Sequence, residues 1–185
     1  PSGQGAVDTD YDGDGDMDII TANRNGDVVV LSNDGTGFFT LQDVSAMGIT
    51  DGAGDGVSAG DVTGDGRIDL LFVSAVAETA VLYINDGDGT FTLGQTWSGI
   101  NGYMGGFADL DNDTDLDLVF AGGGVAWMND GTGAFTAGDS FSYDAPAPAD
   151  PRSVAFADID GDGDPDMAVG DKDAPLRIIR NDLTN

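Results

Sequence analysis

The sequence predicts an all-β fold: a β-propeller of four repeats, each a four-stranded antiparallel blade, with the last blade lacking its outer strand. Three observations carry this expectation. An acidic stretch recurs four times without gaps, as DYDGDGDMDII (10–20), DVTGDGRIDLL (61–71), DLDNDTDLDLV (109–119) and DIDGDGDPDMA (158–168). A second motif recurs between these in constant phase, as NDGTGFFT (33–40), NDGDGTFT (85–92), NDGTGAFT (129–136) and a cut-off NDLTN (181–185). Repeats of about fifty residues mark propellers, solenoids or arrays. Finally, the acid is almost wholly aspartate, 33 Asp against the single Glu78, beside 30 Gly. Asp and Gly belong to turns and caps rather than to helices.

Each repeat then parses into strands. The repeats fall at about 1–50, 51–99, 100–145 and 146–185 within one domain, 1–185. A first strand precedes each acidic loop, as in GVSAGDV (56–62), YMGGFADL (103–110) and SVAFADI (153–159). An unbroken apolar run follows it, LLFVSA (70–75) or LVFAG (118–122), and the absence of alternation predicts burial on both faces. The third strand, VVVLS (28–32), AVLYI (80–84), VAWM (125–128) or LRIIR (176–180), ends at the Asn-Asp motif, a turn signal. The fourth is FFTLQDV (38–44), FTLGQTW (91–97) or FTAGDSF (135–141). Strands buried on both faces suit blades packed between neighbours. The arrangement is either a closed four-bladed ring or part of a larger propeller or array. Phe39, Phe91 and Phe135 are expected in the core, and Trp97, Trp127 and Tyr103 between blades rather than around a sugar pocket.

Bulk composition narrows the function. With 40% hydrophobic residues the chain can bury a core despite a formal charge of −28. It has no Cys and no His, which excludes disulfides, thiol and imidazole chemistry and the usual zinc sets. Six Lys plus Arg cannot build a phosphate-binding surface, so nucleic acid is not an expected partner. No run approaches the roughly 20 apolar residues of a membrane-spanning helix. The chain opens at Pro1 rather than Met and reads as a processed or excised piece.

The acidic loops hold the chemistry. Neighbouring carboxylates about 5 Å apart repel by roughly 3 kcal/mol per pair at an effective dielectric of about 20. Such crowding in a foldable chain calls for a cation. Counting from the first aspartate, positions 1, 3, 5 and 9 are Asp in every loop except for Thr63 at position 3 of the second. Position 7 varies (Asp16, Arg67, Asp115, Asp164), and since arginine cannot ligate a cation this position is expected to offer its backbone carbonyl. Three or four carboxylates, a carbonyl and water meet the six to eight hard oxygens that calcium takes. Gly15, Gly66 and Gly163 at position 6 allow a sharp turn. An EF-hand would need Glu at position 12. Thr21, Phe72, Phe120 and Val169 stand there, so it is excluded. Magnesium, which holds on to its waters, suits an all-protein cage poorly.

The pattern D-x-[DN]-x-D-G-x-x-D, an apolar strand and then N-D-G-x-G-x-F-T resembles the FG-GAP/VCBS repeat family over nearly the whole chain. That resemblance implies a calcium-binding propeller whose aspartate loop joins the first two strands of each blade. It implies up to four Ca2+, one per repeat. The side-chain ligands would be Asp10, Asp12, Asp14 and Asp18; Asp61, Thr63, Asp65 and Asp69; Asp109, Asp111, Asp113 and Asp117; and Asp158, Asp160, Asp162 and Asp166. Thr63 leaves the second site one carboxylate short, and that site is expected to be the weakest.

The expected function is an extracellular, secreted or cell-surface calcium-binding module with a structural or adhesive role, not an enzyme. A lectin-like glycan- or protein-binding propeller is the alternative, and a secreted hydrolase domain a more distant one. The only Glu, Glu78, falls in a hairpin turn. The outer edge of the last blade, PLRIIRND with Pro175, Arg177 and Arg180, reads as edge protection. It could instead accept a strand from a second copy and so build oligomers or fibres.

Overall fold

The computed structural model describes residues 3–23, 27–50, 54–140 and 150–181. Among these are fifteen strands and no helix. Blade 1 is β1 (Gly3–Thr9), β2 (Asp18–Asn23), β3 (Val28–Asn33) and β4 (Phe39–Leu41). Blade 2 is β5 (Gly56–Gly60), β6 (Asp69–Ser74), β7 (Thr79–Asn85) and β8 (Phe91–Ser98). Blade 3 is β9 (Gly105–Ala108), β10 (Asp117–Phe120), β11 (Val125–Asn129) and β12 (Phe135–Ser140). Blade 4 has three strands, β13 (Pro151–Ala157), β14 (Asp166–Asp171) and β15 (Arg177–Ile179). Each sheet is antiparallel with strands in sequence order. The fold is a four-bladed β-propeller with a three-stranded last blade, as the repeats predict.

The register repeats as faithfully as the sequence. The last loop aspartate always pairs with the final residue of the first strand: Thr9 with Asp18, Gly60 with Asp69, Ala108 with Asp117, and Ala157 with Asp166. The acidic loop is therefore the turn of the first hairpin in every blade. Likewise the motif Asn pairs with the motif Phe, Asn33 with Phe39, Asn85 with Phe91 and Asn129 with Phe135.

Innermost strands pack in order, β1 against β5, β5 against β9 and β9 against β13. Between blades 1 and 2 lie Ile20, Val30, Leu70, Phe72 and Tyr83; between 2 and 3, Leu71, Leu82, Trp97, Phe120 and Phe135; between 3 and 4, Val119, Ala126, Met167 and Val169. Alternate residues of one strand thus serve opposite joints, which is why β6 and β10 are buried along their whole length. Each large apolar side chain so buried contributes about 1.5–3 kcal/mol. In β2 burial alternates, because among the described residues only the flank of blade 1 that faces blade 2 is covered by a blade.

That difference corrects one expectation. Phe91 and Phe135 are buried at 4% and 5% exposure, but Phe39 is 38% exposed. Its counterparts are covered by the preceding blade, and among the described residues no blade packs over Phe39 in the same way. The expected fourth strands are also shorter at blade 1, where only Phe39–Leu41 pairs. Residue 141 and residues 182–185 of the cut-off motif lie outside the described residues.

Candidate metal centre

Every acidic loop is built on the same hydrogen bonds. The position-9 carboxylates, Asp18, Asp69, Asp117 and Asp166, are at most 1% exposed. Each accepts two backbone N–H groups at 2.8–3.2 Å, one from the second residue of its loop and one from the motif Asn: Tyr11 and Asn33, Val62 and Asn85, Leu110 and Asn129, Ile159 and Asn181. This carboxylate therefore ties the loop to the end of the third strand. The position-1 carboxylate accepts two more N–H groups from within the loop, Gly13 and Gly15 on Asp10, Asp65 and Gly66 on Asp61, Asp113 and Thr114 on Asp109, and Gly161 and Gly163 on Asp158. The loop can wrap this way because positions 4 and 6 take left-handed backbone. Gly15, Gly66 and Gly163 lie at φ of 95, 85 and 100°, and the third loop forces Asn112 and Thr114 to 60 and 84°.

Three loops gather carboxylates of positions 1, 3 and 9. Asp10, Asp12 and Asp18, then Asp109, Asp111 and Asp117, then Asp158, Asp160 and Asp166 each place oxygens within 4.8 Å of one another. The donor set is hard oxygen throughout, which fits calcium. Burial raises the pKa of Asp12, Asp18, Asp69 and Asp111, and pushes Asp117 up to about 6. Asp166 departs downward instead, chiefly through the Asn181 N–H bond, with Arg180 adding to it.

The other candidates sit differently. Position-5 carboxylates (Asp14, Asp65, Asp113, Asp162) each accept the N–H of position 7 through one oxygen at 2.9–3.0 Å. At position 7, the carboxylates of Asp16 and Asp115 lie over Gly35 and Gly131 of the N-D-G turns, where a β-carbon would collide with them. Asp164 accepts a hydrogen bond from Asn112 of the preceding loop. Position-7 side chains thus point toward neighbouring turns or, for Asp164, the preceding acidic loop.

The second loop forms no three-carboxylate cluster among the described residues. The Thr63 hydroxyl is buried without a hydrogen-bond partner there. Arg67 bends back so that its guanidinium pairs with Asp65 and its Nε donates to the Asn85 carbonyl at 2.9 Å. This loop carries a cation of its own. In the fourth loop Arg180 reaches Asp160 at 2.7 Å, although that loop retains its cluster.

The raised aspartates set a pH dependence. A carboxyl whose folded pKa exceeds its unfolded value binds protons preferentially in the folded state, so stability falls as pH rises through that interval. For Asp117 the interval runs from the ordinary value of 3.8 to about 6. The turn aspartates Asp34, Asp43, Asp88 and Asp130, lowered by side-chain bonds from Thr36, Ser45, Thr90 and Thr132, act below that interval. Metal-free protein is therefore expected to melt at higher temperature at pH 4.5 than at pH 7. Calcium, which binds the ionised form, should reverse the order. Melting curves at the two pH values, with calcium and with EDTA, read the sign directly.

Sequence reasoning missed one participant. The side-chain amides of Asn85, Asn129 and Asn181 donate to the position-2 carbonyl of the preceding blade's loop, on Tyr11, Val62 and Leu110, at 2.7, 2.8 and 2.7 Å. The signal was present, since Asn opens the second motif in all four repeats, but it read as turn chemistry alone. Trp97 packs at ring distances of 5.7–5.9 Å against Phe120, Trp127 and Phe135, and Tyr103 lies under the Arg152 guanidinium. These aromatics are packing groups, as expected.

Fold and loops together define a β-propeller of repeated blades, each hung on an aspartate hairpin. The chain belongs to the FG-GAP-like repeat family, whose model matches residues 10–72 and 109–169, about two thirds of its length. A comparison with curated protein sequences finds none that matches. Among solved structures it is similar to an Agrocybe aegerita lectin described for specific recognition of non-reducing terminal N-acetylglucosamine, with a TM-score of 0.56 and 22% identity over 96% of this chain and 52% of the lectin. It is also similar to the V. cholerae biofilm matrix protein Bap1, with a TM-score of 0.51 and 18% identity over 92% of this chain and 29% of Bap1. At these identities the likeness shows the fold alone, and the chain spans about half of the lectin and less of Bap1.

Proposed function

We propose that the chain is an extracellular, non-catalytic binding or structural module whose blades are held by calcium in the acidic loops. The observation that carries this reading is the threefold recurrence of one carboxylate cluster on one hydrogen-bonded scaffold. In each, positions 1, 3 and 9 would hold the ion, with position 5 and the position-7 carbonyl completing its shell. Asp10, Asp12 and Asp18 do so in blade 1, Asp109, Asp111 and Asp117 in blade 3, and Asp158, Asp160 and Asp166 in blade 4. Calcium there offsets the mutual repulsion of the aspartates and locks the first hairpin of the blade.

The second loop should bind last or not at all, because Thr63 removes a carboxylate and Arg67 supplies a charge that calcium would have to displace. Calorimetric titration of chelator-treated protein is expected to count three tight ions per chain. The double variant Thr63→Asp, Arg67→Asp should count four. A parent that already binds four with equal affinity would contradict the assignment of loop 2.

A lectin-like role is the second reading, and the fold likeness to the fungal lectin favours it. A glycan array probed with calcium-loaded protein separates the two. Retention of terminal N-acetylglucosamine glycans supports the lectin reading, and an empty array supports a structural role.

A further inference from the structure

The four acidic loops share a scaffold but not a charge. Between positions 1 and 9, loops 1, 3 and 4 each carry five aspartates, whereas loop 2 carries only Asp61, Asp65 and Asp69, together with Arg67. Its formal charge is therefore −2 against −5. A divalent ion would bring each of the others to −3, so loop 2 without an ion is already less charged than they are with one.

Arg67 is seated to use its charge. The guanidinium pairs with one oxygen of Asp65, and the backbone N–H of Arg67 donates to the other at 2.9 Å. Its Nε donates to the Asn85 carbonyl at 2.9 Å. The side chain lies over Gly87, where a β-carbon would come within 2.7 Å of Cδ. Asn85 is the residue on which the loop and the end of the third strand meet. Its N–H donates to Asp69 at 2.8 Å, and its side-chain amide donates to the carbonyls of Ile68 at 3.1 Å and Tyr11 at 2.7 Å. Arg67 thus fastens the position-5 carboxylate to this hub. The position-7 side chains of the other loops, Asp16, Asp115 and Asp164, are carboxylates, which when ionised only accept, so they can make neither bond.

We propose that Arg67 is the resident cation of loop 2, a positioning residue that keeps the first hairpin of blade 2 fastened to its third strand without a metal ion. Calcium dependence is then confined to the loops of the other three blades. The inference rests on the calcium reading of those loops and goes beyond it. Weak metal binding alone would leave loop 2 loose in calcium-free protein, whereas a resident guanidinium leaves it ordered. The Arg67 and Asp65 side chains are 43% and 30% exposed, so their direct attraction is modest. The missing carboxylates at positions 3 and 7 lower the repulsion, and Arg67 adds the tie to Asn85.

The test is amide hydrogen exchange of the 185-residue chain at pH 7, read residue by residue by NMR as EDTA lowers free calcium from millimolar to nanomolar. Blades 2 and 3 make a matched pair, each packed between two neighbours. Val62 and Leu110 donate to Asp69 and Asp117 at 2.9 Å, and Asn85 and Asn129 donate to the same two carboxylates at 2.8 Å. As calcium is withdrawn, Leu110 and Asn129 are expected to exchange faster by roughly tenfold or more, and Val62 and Asn85 to change by less than about threefold. Arg67→Gln, neutral and of similar length, should let Val62 and Asn85 follow Leu110 and Asn129. Arg67→Lys should keep most of the protection. Asp115→Arg, placed over Gly131 as Arg67 is over Gly87, should slow the calcium-free exchange of Leu110 and Asn129 several-fold. Loss of all four amides together in the parent would overturn the proposal, and so would an Arg67→Gln variant that exchanges as the parent does. If Leu110 and Asn129 ignore the ion, the calcium reading fails and takes this inference with it, an outcome distinct from four amides failing together.

Discussion

Chelation is expected to lower the melting temperature of the calcium-loaded chain by roughly 15–30 °C. An ion held at a hundredfold excess over its Kd adds about 2.7 kcal/mol to the folded state, and three such ions add about 8 kcal/mol. In a domain of this size each kcal/mol moves the melting temperature by about 2–4 °C. The effect should be large here because without the ion the same loops oppose folding. Each crowds three carboxylates whose oxygens lie within 4.8 Å, and one of the three is buried. Magnesium at the same concentration should recover only a small part of the loss, being reluctant to shed its waters. A melting curve indifferent to EDTA in low-salt buffer would remove calcium from the account.

The second large effect is expected from Asp117→Asn. Asp117 is 1% exposed and accepts hydrogen bonds from Leu110 and Asn129 at 2.9 and 2.8 Å. The amide preserves its size and one acceptor oxygen but turns an NH2 toward one of those donors. Leaving a buried donor unmet costs about 1–3 kcal/mol. Removing a carboxylate that burial holds near a pKa of about 6 relieves the metal-free protein in the opposite sense. In EDTA the two effects should largely cancel, and the variant should melt close to the parent. In calcium the variant loses a charged ligand, and its stabilisation by the ion should fall by about 3 kcal/mol, roughly the worth of one site. The informative quantity is the calcium-induced shift within each protein, because a general packing defect would lower both curves together. An unchanged shift would show that Asp117 only braces the loop.

Much of this architecture is legible in the residues because the repeat is dense in symbols whose physics is local. Asp and Gly at fixed offsets specify a turn with left-handed positions, and Gly15, Gly66 and Gly163 adopt them. The unbroken run LLFVS reads as two buried faces, and β6 is buried throughout. The exclusion of the Arg67 side chain as a ligand, leaving its carbonyl, rests on charge alone; the guanidinium pairs with Asp65. What stayed hidden belongs to relations between blades. Phe39, Phe91 and Phe135 share the N-D-G-x-G-x-F-T motif, yet one is exposed, because burial is conferred by a neighbour that sequence patterns do not supply. The Asn85, Asn129 and Asn181 bonds to Tyr11, Val62 and Leu110 span about 70 residues, beyond any turn rule. Carboxylates of positions 3 and 5 both accept the N–H two residues ahead, an Asx-turn habit that spacing cannot separate from metal ligation.

A crystal structure of the chain grown in millimolar calcium tests the central claim most directly. The expected map shows an ion in the loops of blades 1, 3 and 4, each bound by Asp carboxylates of positions 1, 3 and 9 at about 2.3–2.6 Å. Loops filled with ordinary water, their carboxylates swung apart into solvent, would contradict it.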